Sequence, residues 1–146
     1  MDDEARTART EDYVRAVLRV PDLGLVLRPL PPGMVRGTFP FDGPAHVVTA
    51  YNPGAERPGD VENAARQARL EADLDARGLR RWTTVASAED GSSAEVGALV
   101  VGLDDAMACA FGAAWGQDAV FRWSPSAWTV LACDDAPSVD LGWEIV

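Results

Sequence analysis

No lysine occurs in the 146-residue chain: all 13 basic residues are arginine. Without a side-chain primary amine there can be no Schiff base, no anchor for pyridoxal phosphate and no P-loop lysine. Histidine is almost as scarce. His46 stands alone, which excludes a multi-histidine zinc or iron site and leaves a Ser-His-Asp relay only that one imidazole to run through. The two cysteines, Cys109 and Cys133, are far apart within apolar stretches and read as small buried hydrophobes rather than as a disulfide or a nucleophile. No apolar run approaches the roughly 20 residues that span a bilayer, and the acidic start Met1-Asp2-Asp3-Glu4 lacks the positive charge of a secretory signal, so a soluble, cytoplasmic protein is expected. Basic charge is short overall. The net charge of -10 disfavours nucleic acid and anionic membranes as partners, because both are held mainly by Lys and Arg. No metal and no cofactor are expected.

What is present is the balance of an ordinary globular chain, with 47% hydrophobic and 25% charged residues, at a length that buries roughly 70% of its unfolded surface in one core. In residues 1–44, Thr10 can cap a short helix carrying Tyr13, Ala16, Val17 and Val20, which Pro21 stops. Pro29, Pro31, Pro32, Pro40 and Pro44 then leave strand character only to Leu25–Arg28 and Thr38–Phe41. This part reads as an N-terminal embellishment wrapping a core domain of residues 45–146.

The core begins with a β-branched strand from His46 to Tyr51, ended by Asn52-Pro53-Gly54. A helix from Asp60 to about Arg77 follows, with Gly78 as its terminator. Arg81–Ala86 and Glu95–Gly102 form a hairpin, and Asp104 or Asp105 caps a second helix whose apolar positions run Leu103, Ala106, Met107, Ala110, Phe111 and Ala114. Strands at Ala119–Trp123 and Trp128–Cys133 and an apolar tail from Leu141 complete the chain. Strand, helix, strand, strand, helix, strand, strand is the order of an α+β, ferredoxin-like split βαβ sandwich. It predicts an antiparallel sheet with two helices on one face, an extra C-terminal edge strand and the N-terminal helix.

Several segments carry a resemblance: Thr49-Ala50-Tyr51-Asn52-Pro53, Glu62-Asn63-Ala64-Ala65-Arg66, Leu70 through Leu74 with Gly78, Glu95, and Trp115-Gly116-Gln117-Asp118-Ala119-Val120-Phe121. Over roughly residues 45 to 123 the chain resembles a bacterial family of uncharacterised proteins, domain of unknown function 3293. Two places depart from the family pattern. Gly54-Ala55 stands where a serine usually follows Asn-Pro, and Val96-Gly97-Ala98 stands where the glutamate is usually followed by Ser-Phe, so no role is given to a hydroxyl at either place. The resemblance implies membership but no activity.

Read from the residues themselves, Asn52 lies at the end of the first core strand. Asn63 lies one turn into the next helix, on the same face as Gln67, Leu70 and Leu74, so the two amides should meet. The chain has only two asparagines and two glutamines, and Asn52, Asn63 and Gln117 all fall at element ends, where a rigid scaffold positions side chains while leaving them reachable. Two readings stand open. In one, Asn52, Asn63 and Gln117 form a polar pocket for a small polar ligand or protein partner, with Arg66 and Glu95 as its charged members. In the other, the same amides only close turns and cap backbone groups.

Catalysis is the weaker expectation. It would take the form of a metal-free hydrolase or transferase, with Glu95 as general base near Arg66 and a carboxyl pKa raised by burial or a like charge. An acidic, antitoxin-like interaction protein steered toward a basic partner is the third reading. Glu89, Asp90 and Glu95 around the hairpin read as a solvated turn rather than a cation cage. Oligomeric state is left open.

Overall fold

The computed structural model describes residues 14–54, 56–134 and 136–146. Nine strands and two α-helices follow one another: β1 (Val17–Val20), β2 (Leu25–Leu30), β3 (Val35–Arg36), β4 (Ala45–Val48), α1 (Asp60–Ala76), β5 (Arg80–Ser87), β6 (Glu95–Val101), α2 (Asp105–Ala114), β7 (Ala119–Trp123), β8 (Trp128–Ala132) and β9 (Val139–Ile145). The strands join in the order β2-β1-β5-β6-β4-β7-β8-β9, and β9 pairs back onto β2. The sheet is therefore a closed, eight-stranded antiparallel barrel. The short β3 is added parallel to β9, with Val35 against Trp143.

This replaces the ferredoxin-like sandwich expected from the order of elements. Within the barrel β5, β6, β4 and β7 are neighbours in that order, which is the strand order of a split βαβ unit. Yet the sheet does not end there. Leu18 of β1 pairs with Ala86 of β5, and Leu27 of β2 pairs with Ile145 of β9, so the segments at both ends of the chain are staves of the wall. The anticipated C-terminal edge strand has no free edge. The N-terminal helix is also overturned where it can be seen, because Val17 and Val20 lie in β1; its start at Thr10 lies outside the described residues. Val17, Leu18 and Val20 are all buried, and β-branched residues flanked by partners on both sides gain more from the pleated wall than from one turn of helix.

Strand parity divides the core in two. Residues of one parity, among them Leu18, Val20, Leu27, Val47, Leu99, Trp123, Trp128 and Trp143, fill the barrel interior as one cluster. Those of the other parity, Val48, Ala98, Val100 and Val120, pack against Leu70 and Leu74 of α1 and Ala108 and Phe111 of α2. Because β4 and β6 are covered on both faces, they read as continuous apolar runs instead of alternating ones. One barrel end is closed by aromatic rings. Phe39 stacks on Trp123 with centroids 4.9 Å apart, and Trp143 meets Trp123 edge-on at 5.3 Å. Among the described residues no helix is long and apolar enough to cross a membrane.

Candidate functional site

Past the end of β4 the chain must turn away from the wall, and the backbone groups of that turn can no longer find partners in the ladder. Unpaired buried amides and carbonyls are costly, so each needs another partner. Three amide side chains supply half of them. Gln67 Oε1 accepts from Ala50 N–H at 3.0 Å, and Asn63 Oδ1 accepts from Asn52 N–H at 3.0 Å. Gln117 Nε2 donates to the Tyr51 carbonyl at 2.8 Å, and Arg66 Nε donates to the Ala50 carbonyl at 2.9 Å. Thr49 Oγ1 takes Tyr51 N–H at 3.1 Å. Gly54 N–H reaches the Gly116 carbonyl at 2.7 Å, fastening the turn to the end of α2.

From this turn a side-chain relay leads into the barrel mouth. Asn63 Nδ2 donates to Asn52 Oδ1 at 2.9 Å, and Asn52 Nδ2 donates to Glu95 Oε1 at 2.8 Å. Arg57 Nη1 stands 3.8 Å from the same carboxylate oxygen. Asn52 is held at a φ of +49°, a left-handed conformation that asparagine tolerates better than most residues. Asn63 is 4% exposed and lies behind Asn52, away from solvent.

Asn52, Glu95 and Gln117 line a cavity of about 840 Å³ at the barrel end where β4 and β5 finish and β6 and β7 begin, opposite the aromatic plug. Val47, Ala86, Ala119 and Phe121 give its apolar wall, and Thr49, Thr84, Ser87, Arg15, Arg28 and Arg57 contribute polar groups. The five residues singled out in the sequence thus gather around one turn, but they divide between two positions. Asn52, Glu95 and Gln117 face the cavity. Asn63 and Arg66 stand behind it, and Arg66 also donates to the Trp115 carbonyl at 2.7 Å while its guanidinium lies 5.5 Å from the Trp115 ring centroid.

Sequence reasoning missed Gln67, Arg57 and Thr84. Gln67 carried a usable signal, being the fourth amide of the chain on the same helix face as Asn63. Arg57 had none, since it sits in a Pro/Gly loop without periodicity.

The remaining chemistry-bearing groups lie elsewhere. His46 is 1% exposed on the helix side of β4; its Nε2 meets Asp105 Oδ1 at 2.8 Å, and its Nδ1 has no hydrogen-bond partner among the described residues. Among the described residues no hydroxyl is bonded to that ring to complete a relay. Asp105 also receives Arg122 Nη1 at 2.5 Å. Partial burial pushes the Asp105 carboxyl up, but the hydrogen bond from His46 and the charge and hydrogen bond of Arg122 outweigh it, and the group titrates below the usual aspartate range.

A depressed folded-state pKa contributes stability that is full above the unfolded value, roughly 4, and is lost as pH falls through the folded value. Asp105→Asn should therefore lower stability by about 1 kcal/mol or less at pH 7, the side chain being 45% exposed and partly screened. In denaturant titrations across pH, the gap between variant and wild type should close below about pH 4.

Burial, with Cys109 beside it, raises the Cys133 thiol well above its ordinary value, which withholds the thiolate a nucleophile needs. The Tyr51 phenol is likewise raised, by burial and then by Asp60, Glu71 and Glu95, and so stays protonated. At the hairpin, Asp90 Oδ1 accepts from Ser92 N–H at 2.9 Å and from its hydroxyl at 2.6 Å, which closes the turn. Among the described residues no group of three or more His, Cys, Asp or Glu could hold a metal ion.

The architecture is that of a small closed β-barrel, plugged by aromatic rings at one end and open at the other into a polar-rimmed cavity. Residues 48–120, half of the chain, match the family model described as "Protein of unknown function (DUF3293)". The chain belongs to that family. No curated protein and no solved structure matches it. The matched stretch holds every member of the amide network, from Ala50 through Gln117, whereas β1, β2, β8 and β9 lie outside it.

Proposed function

We propose that the protein binds a small amphipathic molecule in the open mouth of the barrel. The observation that carries this reading is the cavity: at about 840 Å³ it lies within the range of ligand sites, and an eight-stranded barrel is just wide enough to hold one small ligand. Its composition supports the same reading. An apolar wall would take the body of the molecule, and Asn52, Glu95, Gln117 and Arg57 at the rim would orient a polar head. Among the described residues the lining charges balance, with Arg15, Arg28 and Arg57 against Glu89, Glu95 and Glu144, so the rim favours a head group with both donors and acceptors over a strongly charged one.

A hydrolase or transferase pairing Glu95 with Arg66 gains no support, because Arg66 is engaged by two backbone carbonyls.

The uncharged fluorescent probe 1-anilinonaphthalene (N-phenyl-1-naphthylamine) tests the site. Native protein that melts cooperatively should bind it with a micromolar dissociation constant and a blue shift. The double variant Ala86→Phe/Ala119→Phe, which fills the mouth with two rings, should weaken binding at least tenfold at an unchanged circular dichroism spectrum. No enhancement with native protein, or equal binding by the filled variant, would exclude the mouth as the site.

A further inference from the structure

One buried hydroxyl of the cavity lining is left without a hydrogen-bond partner among the described residues. Thr84 is 1% exposed, lines the cavity, and its Oγ1 meets no hydrogen-bond partner among the described residues. Its direction follows from the register. Thr84 pairs with Gly97 across β5 and β6, and a Cβ placed on Gly97 would stand 2.9 Å from Thr84 Oγ1, so the hydroxyl is on the inner side of the wall. It lies one step deeper than the Ala86–Glu95 pair that belongs to the rim. The other unpartnered buried side-chain atoms among the described residues, His46 Nδ1, Trp123 Nε1 and Trp128 Nε1, belong to residues that do not line the cavity. An orphaned buried hydroxyl costs stability, and functional sites are where such a cost is carried.

Building on the mouth as a ligand site, we propose that Thr84 is its deep specificity anchor and that the ligand is a neutral, mainly apolar compound entering with a hydroxyl or carbonyl oxygen first. Neutrality follows from the surroundings. One hydroxyl in a cavity whose wall also carries Val47, Ala86 and Phe121 cannot compensate a desolvated charge, whereas it can complete a hydrogen bond to an uncharged oxygen. The rim network around Asn52 and Glu95 is left to handle whatever polar group trails outside.

The test uses two isosteric pairs, one in the probe and one in the protein: 2-naphthol against 2-methylnaphthalene, and Thr84 against Thr84→Val, with binding followed by NMR titration. Wild type should bind 2-naphthol about three- to tenfold tighter than 2-methylnaphthalene, the worth of one neutral hydrogen bond. Thr84→Ser should keep that preference and Thr84→Val should abolish it. The melting temperature of Thr84→Val should stay level or rise, because the methyl replaces an unsatisfied hydroxyl; a fall would mean the hydroxyl serves the fold and would overturn the proposal. Equal binding of both naphthalenes by wild type, or an undiminished preference in Thr84→Val, would also overturn it while leaving the mouth as a ligand site. If neither naphthalene nor the anilinonaphthalene probe binds, the anchor and the site fall together.

Discussion

Replacing Asn63 by alanine should lower the melting temperature by about 5–15 °C with little change in the circular dichroism spectrum. The expectation rests on what Asn63 touches. Its carboxamide is engaged twice by a single neighbour, accepting Asn52 N–H and donating to Asn52 Oδ1, and it is buried at 4% exposure. Alanine would leave both groups of the half-buried Asn52 without these partners. Each orphaned group costs roughly 1–2 kcal/mol, for a total of about 2–4, and for a chain of this size each kcal/mol moves the melting temperature by a few degrees. A residue that only touched a ligand would show almost no shift. Asn52 would also lose what holds it at φ +49°, so Glu95 would lose its 2.8 Å partner and binding of the anilinonaphthalene probe should weaken in the same variant. A melting temperature within 2 °C of wild type would mean that the turn does not depend on this amide.

The elements of the family-matched region were legible, and so was the meeting of Asn52 with Asn63. Helical spacing marked α1 and α2, β-branched runs marked β4 to β8, and the scarcity of amides drew attention to the positions where the chain uses them. Closure was harder to see, although it left a trace. A ferredoxin-like sheet covers one face, yet His46 to Val48 in β4 and Ala98 to Val101 in β6 offer apolar residues to both. Trp82, Leu99, Phe121 and Trp123 share the second face, and that much apolar surface demands a cover. The cover is the rest of the barrel. Its staves include Val17–Val20, whose spacing suits a helix as well as a strand, and the proline-bearing Leu25–Leu30; local pattern alone does not decide such short segments.

The cavity itself was hidden for a different reason. Which inward residues become rim and which become floor depends on the register of β5 with β6 and of β4 with β7. Register is a property of pairs of strands, so Thr84 could not be told from Thr83 by any count along the chain. Arg66 shows the converse. Its place one turn from Asn63 and its charge suggested a ligand contact, but two carbonyls left over at the ends of β4 and α2 take up its donors. Backbone accounting, which needs coordinates, explains that arginine better than charge does.

The same junction gives the second large effect. Gly116 ends α2 at a φ of +82°, and a Cβ added there would sit 2.6 Å from Pro53 Cβ and 3.2 Å from Pro53 Cα. Proline cannot rotate out of the way, so Gly116→Ala must shift the backbone of the turn that also carries Asn52. Two costs combine: the left-handed conformation, about 1–2 kcal/mol for a residue with a Cβ, and overpacking, about 1–3 kcal/mol. Gly78 separates them. It has a similar φ of +70° with nothing within 4 Å of an added Cβ, so Gly78→Ala carries the conformational cost alone. Denaturant unfolding should therefore place Gly116→Ala below Gly78→Ala by about 1–3 kcal/mol, and only the former should weaken probe binding at the mouth. Equal losses in the two variants would show that Pro53 yields freely, and that the end of α2 and the turn after β4 are not held in the close contact on which the shape of the rim depends.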